Sequence, residues 1–496
     1  MLKDPIIHRV PRRETRPCDE PGSGRRPRRP RTRRGITTIW GLASIGLLLT
    51  VAAVVVDGAM LYGAHADLQN AADSAALAGG RVMAVDPDYA RQLAVEYGAK
   101  NTAAGSPVAI ASEDVEIGRW DKDMRTFTPV APSEEHLADA IQVTAGLTED
   151  SGNPLRMAFA QVFGEGEADV VARATAVYKP RDIVVVLDLS GSMNYDSQIR
   201  HIPFLGQAAV EANLQQIWTE LGANTYGNMG FTPTYIFYTE MWYVRAILGL
   251  DGVPYPYPSG SWDDYILYVQ RDNAIINNGY QNRYGGLTFV NYLLDRQRSA
   301  SQTPDLWQVS AQPLTAVKNA VDLFLDYVEV AATEDRIGLA IYTGPGGAGL
   351  LEHALTDDMD ALRTITWQRQ AGHYTGSTNI GGGIETGRLE LDANGRQGAQ
   401  KTLVLLTDGV ANLPGSASEA RGFALDQAQY AANSNYAIAA ISLGANVDTD
   451  LMQQIADTTG GVHFHVPGGQ TVADYEADLT DVFRQIARER PLRLVR

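Results

Sequence analysis

The longest apolar run in the chain is 36–56 (ITTIWGLASIGLLLTVAAVVV), 21 positions without a charge. At ~1.5 Å per residue such a helix crosses the ~30 Å hydrocarbon layer of a bilayer. The helical pattern continues over 59–83, with Leu61, Leu68, Ala72, Ala75 and Ala76 on one broad face and Asp67, Gln69, Asn70 and Asp73 nearby. Small residues four apart (Ala71, Ala75, Gly79) suit the close approach of another helix, although alanine also serves helix propensity. A second helix is expected over 87–101, then strands at 115–120, 141–145 and 170–178, an α+β head on a membrane stalk. From Pro180 short apolar runs at 183–187, 337–342, 403–406, 437–443 and 462–466 alternate with amphipathic stretches. Leu314, Val317, Val321, Phe324 and Val328 mark one of these helices. This alternation predicts the α/β class: a doubly wound, mostly parallel sheet covered on both faces, with ligands bound beyond the carboxyl ends of its strands.

Charge divides the chain in the same place. The net charge is −17, but residues 1–35 hold 12 Lys/Arg against 4 Asp/Glu, so the remaining 461 carry 29 basic and 54 acidic residues. The basic tail, rich in Arg, Pro and Gly, reads as disordered. By the positive-inside rule it is cytoplasmic, and everything after Asp57 is exported. An apolar run of this length marks an uncleaved anchor, since a cleavable signal has a shorter one. The acidic body argues against nucleic acid as a partner. The only cysteine, Cys18, precedes the membrane run, so the exported part forms no disulfide, as suits a bacterial periplasm.

The segment 34–85 resembles the N-terminal region of TadE/TadG-like proteins of the Tad (Flp) pilus-assembly system. The likeness rests on Leu68-Gln69-Asn70-Ala71-Ala72-Asp73-Ser74-Ala75-Ala76-Leu77-Ala78, preceded by Asp57 just past the membrane. It departs from processed pilins: cleavage after Gly35 would place Trp40 fifth, where prepilins carry glutamate. The resemblance therefore implies an anchored accessory protein.

The loop after the first strand of the second half reads Asp188-Leu189-Ser190-Gly191-Ser192. A carboxylate and two hydroxyls stand at alternate positions, and Gly191 permits the turn that lets them converge. Thr378 and Asp408 lie in later loops expected at the same sheet edge. Hard divalent cations prefer such all-oxygen surroundings. The five positions are similar to the metal-ion-dependent adhesion site (MIDAS) of von Willebrand factor type A (VWFA) domains, D-x-S-x-S followed by Thr and Asp. That resemblance implies Mg²⁺, or Mn²⁺ or Ca²⁺, held by Asp188, Ser190, Ser192, Thr378 and Asp408, with an acidic residue of a protein partner completing the coordination. It also implies a Rossmann-like sheet with one antiparallel edge strand near 350–355.

The expected organisation is a tail at 1–35, a transmembrane helix at 36–56, a pilin-like stalk and head at 57–179 and a VWFA domain at 180–490. Residues 195–312 are an insertion, because the first good amphipathic helix after the Asp188 loop starts only near Pro313. A structureless loop of that length is improbable, so a folded subdomain is expected. Its aromatic residues, from Tyr226 to Tyr292, suit recognition of protein or glycan but could equally form its core. His463 and His465, alternating on the last strand, and His373, near Thr378, read as structural and as a surface loop residue respectively. Residues 344–349 are glycine-rich but lack the ending of a phosphate loop. With no nucleophile elbow around Ser190, enzyme chemistry is disfavoured. The function expected is that of an inner-membrane, single-pass envelope protein of Tad type, with pilus or envelope components as partners. The alternative is a regulatory or chaperone-like module of an enzyme complex.

Overall fold

The computed structural model describes residues 36–495 except 84–85, 165, 201–205, 331–333, 375, 445, 468–471 and 489. The expectations for the basic tail and Cys18 lie outside the described residues. The chain divides into two units, Met1–Met60 with Arg156–Glu167, and Leu61–Leu155 with Ala168–Arg496.

In the first unit, helix α1 (Ile36–Gly80) carries the charge-free run, and it is long and apolar enough to cross a membrane. Its large side chains from Ile39 to Val56 are exposed, as lipid-facing residues should be. Directly after the run, Asp57 is buried against backbone amides of 158–160.

Two larger sheets organise the second unit. The first, antiparallel, is formed by β1 (Val115–Asp121), β2 (Thr126–Pro129), β3 (Ala140–Leu147) and β4 (Val170–Tyr178). Helix α2 (Pro87–Ala99) starts at an Asp86 cap, whose carboxylate accepts from the Tyr89 amide, with Pro87 in the first turn. It packs closely on α1 at Gly79, where a Cβ would lie 2.8 Å from the Ala90 carbonyl. The small-residue spacing is thus used for helix contact.

The second sheet comprises β5 (Arg181–Leu187), β6 (Arg336–Ile341), β7 (Leu350–Thr356), β8 (Gln400–Thr407), β9 (Ala437–Leu443) and β10 (His463–Val466), in the order β7-β6-β5-β8-β9-β10. All neighbours run parallel except the edge strand β7, which is antiparallel to β6. Alternation along β5 serves two cores. Ile183, Val185 and Leu187 face helices α3 (Leu314–Val330), α4 (Met359–Trp367) and α8 (Val472–Arg488). Val184 and Val186 face α5 (Ile380–Asn394), α6 (Ala417–Asn433) and α7 (Thr449–Thr459). Helix α5 lies close to the sheet because Gly383 and Gly387 leave room for Val186, Tyr342 and Leu403.

One feature was not foreseen. The chain's last strand, β11 (Leu492–Val495), returns to pair antiparallel with β4, so the two sheets are tied by both chain connections. The 195–312 segment, expected to be folded, has its own core built around Tyr265, Tyr284, Tyr292, Trp262 and Phe289. Most of its aromatic residues are therefore packing. Tyr235, Phe237, Tyr238 and Trp242 are exposed.

Candidate metal centre

Strand order reverses on either side of β5: the chain moves outward to β6 and β7, then back across to β8. The crevice between the ends of β5 and β8 is the topological switch point. Asp188 follows β5 and Asp408 follows β8, so the two aspartates flank that crevice.

Three loops are stapled together around them. The Ser190 amide donates to Asp188 Oδ1 (2.7 Å), which turns the first loop back on itself. The Thr407 hydroxyl donates to Asp188 Oδ2 (2.9 Å) and accepts from the Gly409 amide (3.2 Å). Ser190 Oγ and Ser192 Oγ are 2.8 Å apart, and Ser192 Oγ donates to Asp408 Oδ1 (2.6 Å). Thr378 is held against the third loop: its amide donates to Asn412 Oδ1 (2.8 Å), and its carbonyl accepts from the Asn412 amide (2.9 Å). A Cβ on Gly409 would stand 3.4 Å from Ser192 Oγ and 3.6 Å from Thr378 Oγ1. The structure therefore brings all five sequence-derived residues to one place, at a cleft of about 300 Å³.

Asp188 and Ser190 are fully buried, Thr378 nearly so, and Ser192 and Asp408 open partly to the cleft. Burial raises the Asp188 carboxyl above the usual carboxylate range. Burial first, and the Asp188 charge second, push Asp408 well above it. Both carboxylates are bonded to hydroxyls and amides, and no cationic side chain pairs with either among the described residues.

No group of three or more His, Cys, Asp or Glu gathers among the described residues. The donors here are instead two carboxylates and three hydroxyls, a set that fits a hard divalent cation and does not fit a soft one. Two adjacent acidic groups without a counter-charge supply the electrostatic reason for a cation to bind.

Other residues at the site escaped the sequence reading. Asp196 and Tyr475 line the cleft; burial lifts the Asp196 carboxyl to about 6, and the Tyr475 hydroxyl is buried with no hydrogen-bond partner among the described residues. Arg298 lies against three glycines of the site loops. A Cβ on Gly191 would meet its guanidinium carbon at 2.5 Å, one on Gly376 its terminal nitrogen at 2.9 Å, and one on Gly372 its side-chain stem at 2.7 Å. Those glycines were the one available signal, and nothing in the sequence linked them to an arginine over a hundred positions from the first.

The histidines fall as follows. Ser442 Oγ lies 2.8 Å from His463 Nε2 and 2.9 Å from His465 Nδ1, so both brace β9 against β10, as the structural reading held. His373 differs from the expected surface residue. It is half-buried and stacked edgewise on Tyr374, and burial, with Arg369 second, lowers its pKa to about 4.

Family comparisons agree with this architecture. A Flp pilus-assembly TadE/G-like family matches residues 35–84, a Tad-like Flp pilus-assembly family residues 63–176, and the von Willebrand factor type A domain residues 307–481. The last match begins at 307, near the end of the 195–312 segment and beyond β5 and the Asp188 loop. A von Willebrand factor type A protein from Catenulispora acidiphila is 13% identical, over 64% of this chain and 45% of that one, with a TM-score of 0.31. The vWF domain of the type V pili tip protein Mfa5 from Porphyromonas gingivalis is 15% identical, over 38% of this chain and 92% of that one, with a TM-score of 0.28. The pilus adhesin SpaC from Lactobacillus rhamnosus GG is 12% identical, over 77% of this chain and 36% of that one, with a TM-score of 0.32. The chain thus spans less than half the length of the first and third of these. Among curated proteins there is no match. The matched segments, in this order along one chain, identify a TadE/G-like Flp pilus-assembly region followed by a von Willebrand factor type A domain.

Proposed function

We propose that this is a membrane-anchored envelope protein of Tad/Flp pilus-assembly type that captures a protein partner through a divalent-metal-dependent adhesion site. The observation that carries the reading is the convergence of Asp188, Ser190, Ser192, Thr378 and Asp408 at one cleft, with one acid fully buried, the other partly open, and no cationic partner for either among the described residues. Mg²⁺, or Mn²⁺ or Ca²⁺, would be held there. Because three of the donors are neutral hydroxyls, the ion would retain positive charge for an acidic residue of the partner.

In this reading 1–35 is a cytoplasmic tail, 36–56 the span, 57–179 the stalk and head, and 180–490 the periplasmic or extracellular VWFA domain. The 195–312 insertion stands at its rim, and its exposed Tyr235, Phe237, Tyr238 and Trp242 give the insertion a surface for selecting the partner. The site serves binding and not catalysis. The test is calorimetric titration of the full chain with Mg²⁺, followed by capture of envelope proteins with Mg²⁺ or with EDTA. Wild type should bind the ion and capture a partner only in its presence, and Asp408→Ala should do neither. Capture indifferent to both EDTA and the substitution would refute the proposal.

A further inference from the structure

The turn that follows Leu155 is fastened to the membrane helix at an informative level. Asp57, the first charged residue after the apolar run, is 7% exposed although its neighbours on α1 face outward. Its Oδ1 accepts from the amides of Ala158 (2.9 Å) and Phe159 (3.1 Å), and its Oδ2 accepts from those of Phe159 (3.2 Å) and Ala160 (2.7 Å). These amides open the short 3₁₀ turn Ala160–Phe163, where donors have no partner within the turn itself. An aspartate about a hundred positions away thus caps them. The loop then closes on itself: Val162 N–H donates to the Phe159 carbonyl, Gly164 takes a positive φ of 100°, and Met157 N–H donates to the Gly166 carbonyl.

The face of α1 that carries Asp57 continues back into the apolar run. Ala53 lies about one turn before Asp57 on the same face, about 6 Å along the axis. It is 8% exposed, whereas Val54 and Val55 are 68% and 64% exposed. The loop is fastened at Asp57, on this same face and directly where the apolar run ends. Its outer side presents Phe159, 42% exposed, and Val162, 77% exposed, while charges collect on its stem, where Arg156 faces Glu167 at 3.9 Å. Apolar tip and charged stem are arranged as a segment lying in a headgroup region would be.

We propose that the loop at 157–164 is a second membrane contact, resting in the lipid interface beside α1 with Phe159 and Val162 inserted among headgroups and upper acyl chains. The occupant is lipid because the loop is fastened at Asp57, the first residue past the apolar run, and presents Phe159 and Val162 outward where that run meets the membrane. The proposal rests on the reading of 36–56 as a span. The loop would then fix the rotation of α1 about its axis and hold the first exported turn at a set depth.

The test uses the full chain, with Cys18→Ser as background, reconstituted in phosphatidylcholine/phosphatidylglycerol vesicles. The environment-sensitive dye NBD is placed in turn at Val162→Cys, at Val55→Cys within the run, and at Met124→Cys on an exposed site in the head. Spin-labelled lipid bearing its quencher near the headgroup should dim the dye at 162 by about half and leave the dye at 124 bright, while aqueous iodide should do the reverse. If position 55 is quenched by lipid while 162 is quenched by iodide, the span stands and the loop proposal is overturned. If neither 55 nor 162 responds to lipid, the span reading fails and the loop proposal with it.

Discussion

Asp182 and Asp188 stand at the two ends of β5, both fully buried, and differ in every respect that matters electrostatically. Burial pushes Asp182 up, but hydrogen bonds from Arg336 (2.9 Å) and Arg396 (2.7 Å) outweigh it and hold the carboxyl below its usual range. Asp188 has hydroxyls and amides around it, and its carboxyl is raised. The contrast extends across each end of the sheet. At the amino ends of the strands, Arg81, Arg181, Arg484, Arg488 and Arg490 line a cavity of about 780 Å³. Burial there, with Arg181 second, lowers the pKa of Arg490 to about 10. At the carboxyl ends lie Asp188, fully buried, and Asp408, partly open to the cleft. A buried charge that meets its counter-charge within the chain is structural, and one that does not leaves a requirement for something from outside. The same residue type on the same strand thus reads as scaffold at one end and as a site at the other.

Substitution of the two acids should separate these roles by sign. Asp182→Asn removes the partner of two guanidiniums, and it should destabilise the fold by about 3 kcal/mol whether or not metal is present. Asp335→Ala, which strips buried Arg181 of bonds at 2.7 to 3.0 Å, should cost about as much. Chemical denaturation in EDTA is the measurement. A loss below about 1 kcal/mol for both would show that the ion pairs do not organise this end.

Asp408→Asn should act in the opposite direction in metal-free protein. It removes one of two like charges and should stabilise by on the order of 1 kcal/mol, while abolishing any rise in melting temperature on adding Mg²⁺. The pH dependence follows the same division. Folding raises the Asp188 and Asp408 carboxyls above 3.8, so their contribution is greatest below that value and is lost as pH rises through the raised values. Folding lowers Asp182, whose contribution is present above 3.8 and is lost as pH falls through the lowered value. Metal-free wild type should therefore lose stability as pH rises above the ordinary carboxylate range more steeply than Asp408→Asn does. Identical slopes would show that the Asp408 carboxyl is not held up by its surroundings.

Much of this contrast was legible in the sequence at one end only. Asp188, Ser190 and Ser192 alternate within a single loop after an obvious strand, and Thr378 and Asp408 each follow a recognisable element, so local pattern sufficed. The apolar periods of β5, β6, β8 and β9 were equally plain, because strands buried on both faces have little room for polar residues. The basic end was not legible: its arginines come from the turn after α1, from β5, α8 and the chain beyond it, and only topology brings them together. The strand Leu492–Val495 is too short, and follows Pro491 too closely, to stand out. In the 195–312 segment the sequence showed the aromatic residues but could not say which were core, since burial of Tyr265 and exposure of Tyr235 arise from contacts distant along the chain.

The smallest expected effect concerns how that segment serves the metal end. Two arrangements are possible: it acts on the cation through Arg298, or only on the partner through its exposed aromatic face. Arg298 fills the space left by Gly191, Gly372 and Gly376, and its carbonyl accepts from Gln370, so it joins the first and second site loops to the segment. Arg298→Ala should leave the charge of the site intact and loosen the loops, weakening Mg²⁺ binding about threefold, a change below ~1 kcal/mol. Trp242→Ser, on the exposed face, should change neither Mg²⁺ affinity nor stability by more than about 0.5 kcal/mol, yet should reduce partner capture. If Trp242→Ser weakens the ion and Arg298→Ala does not, the segment reaches the site by a route other than the glycine cradle.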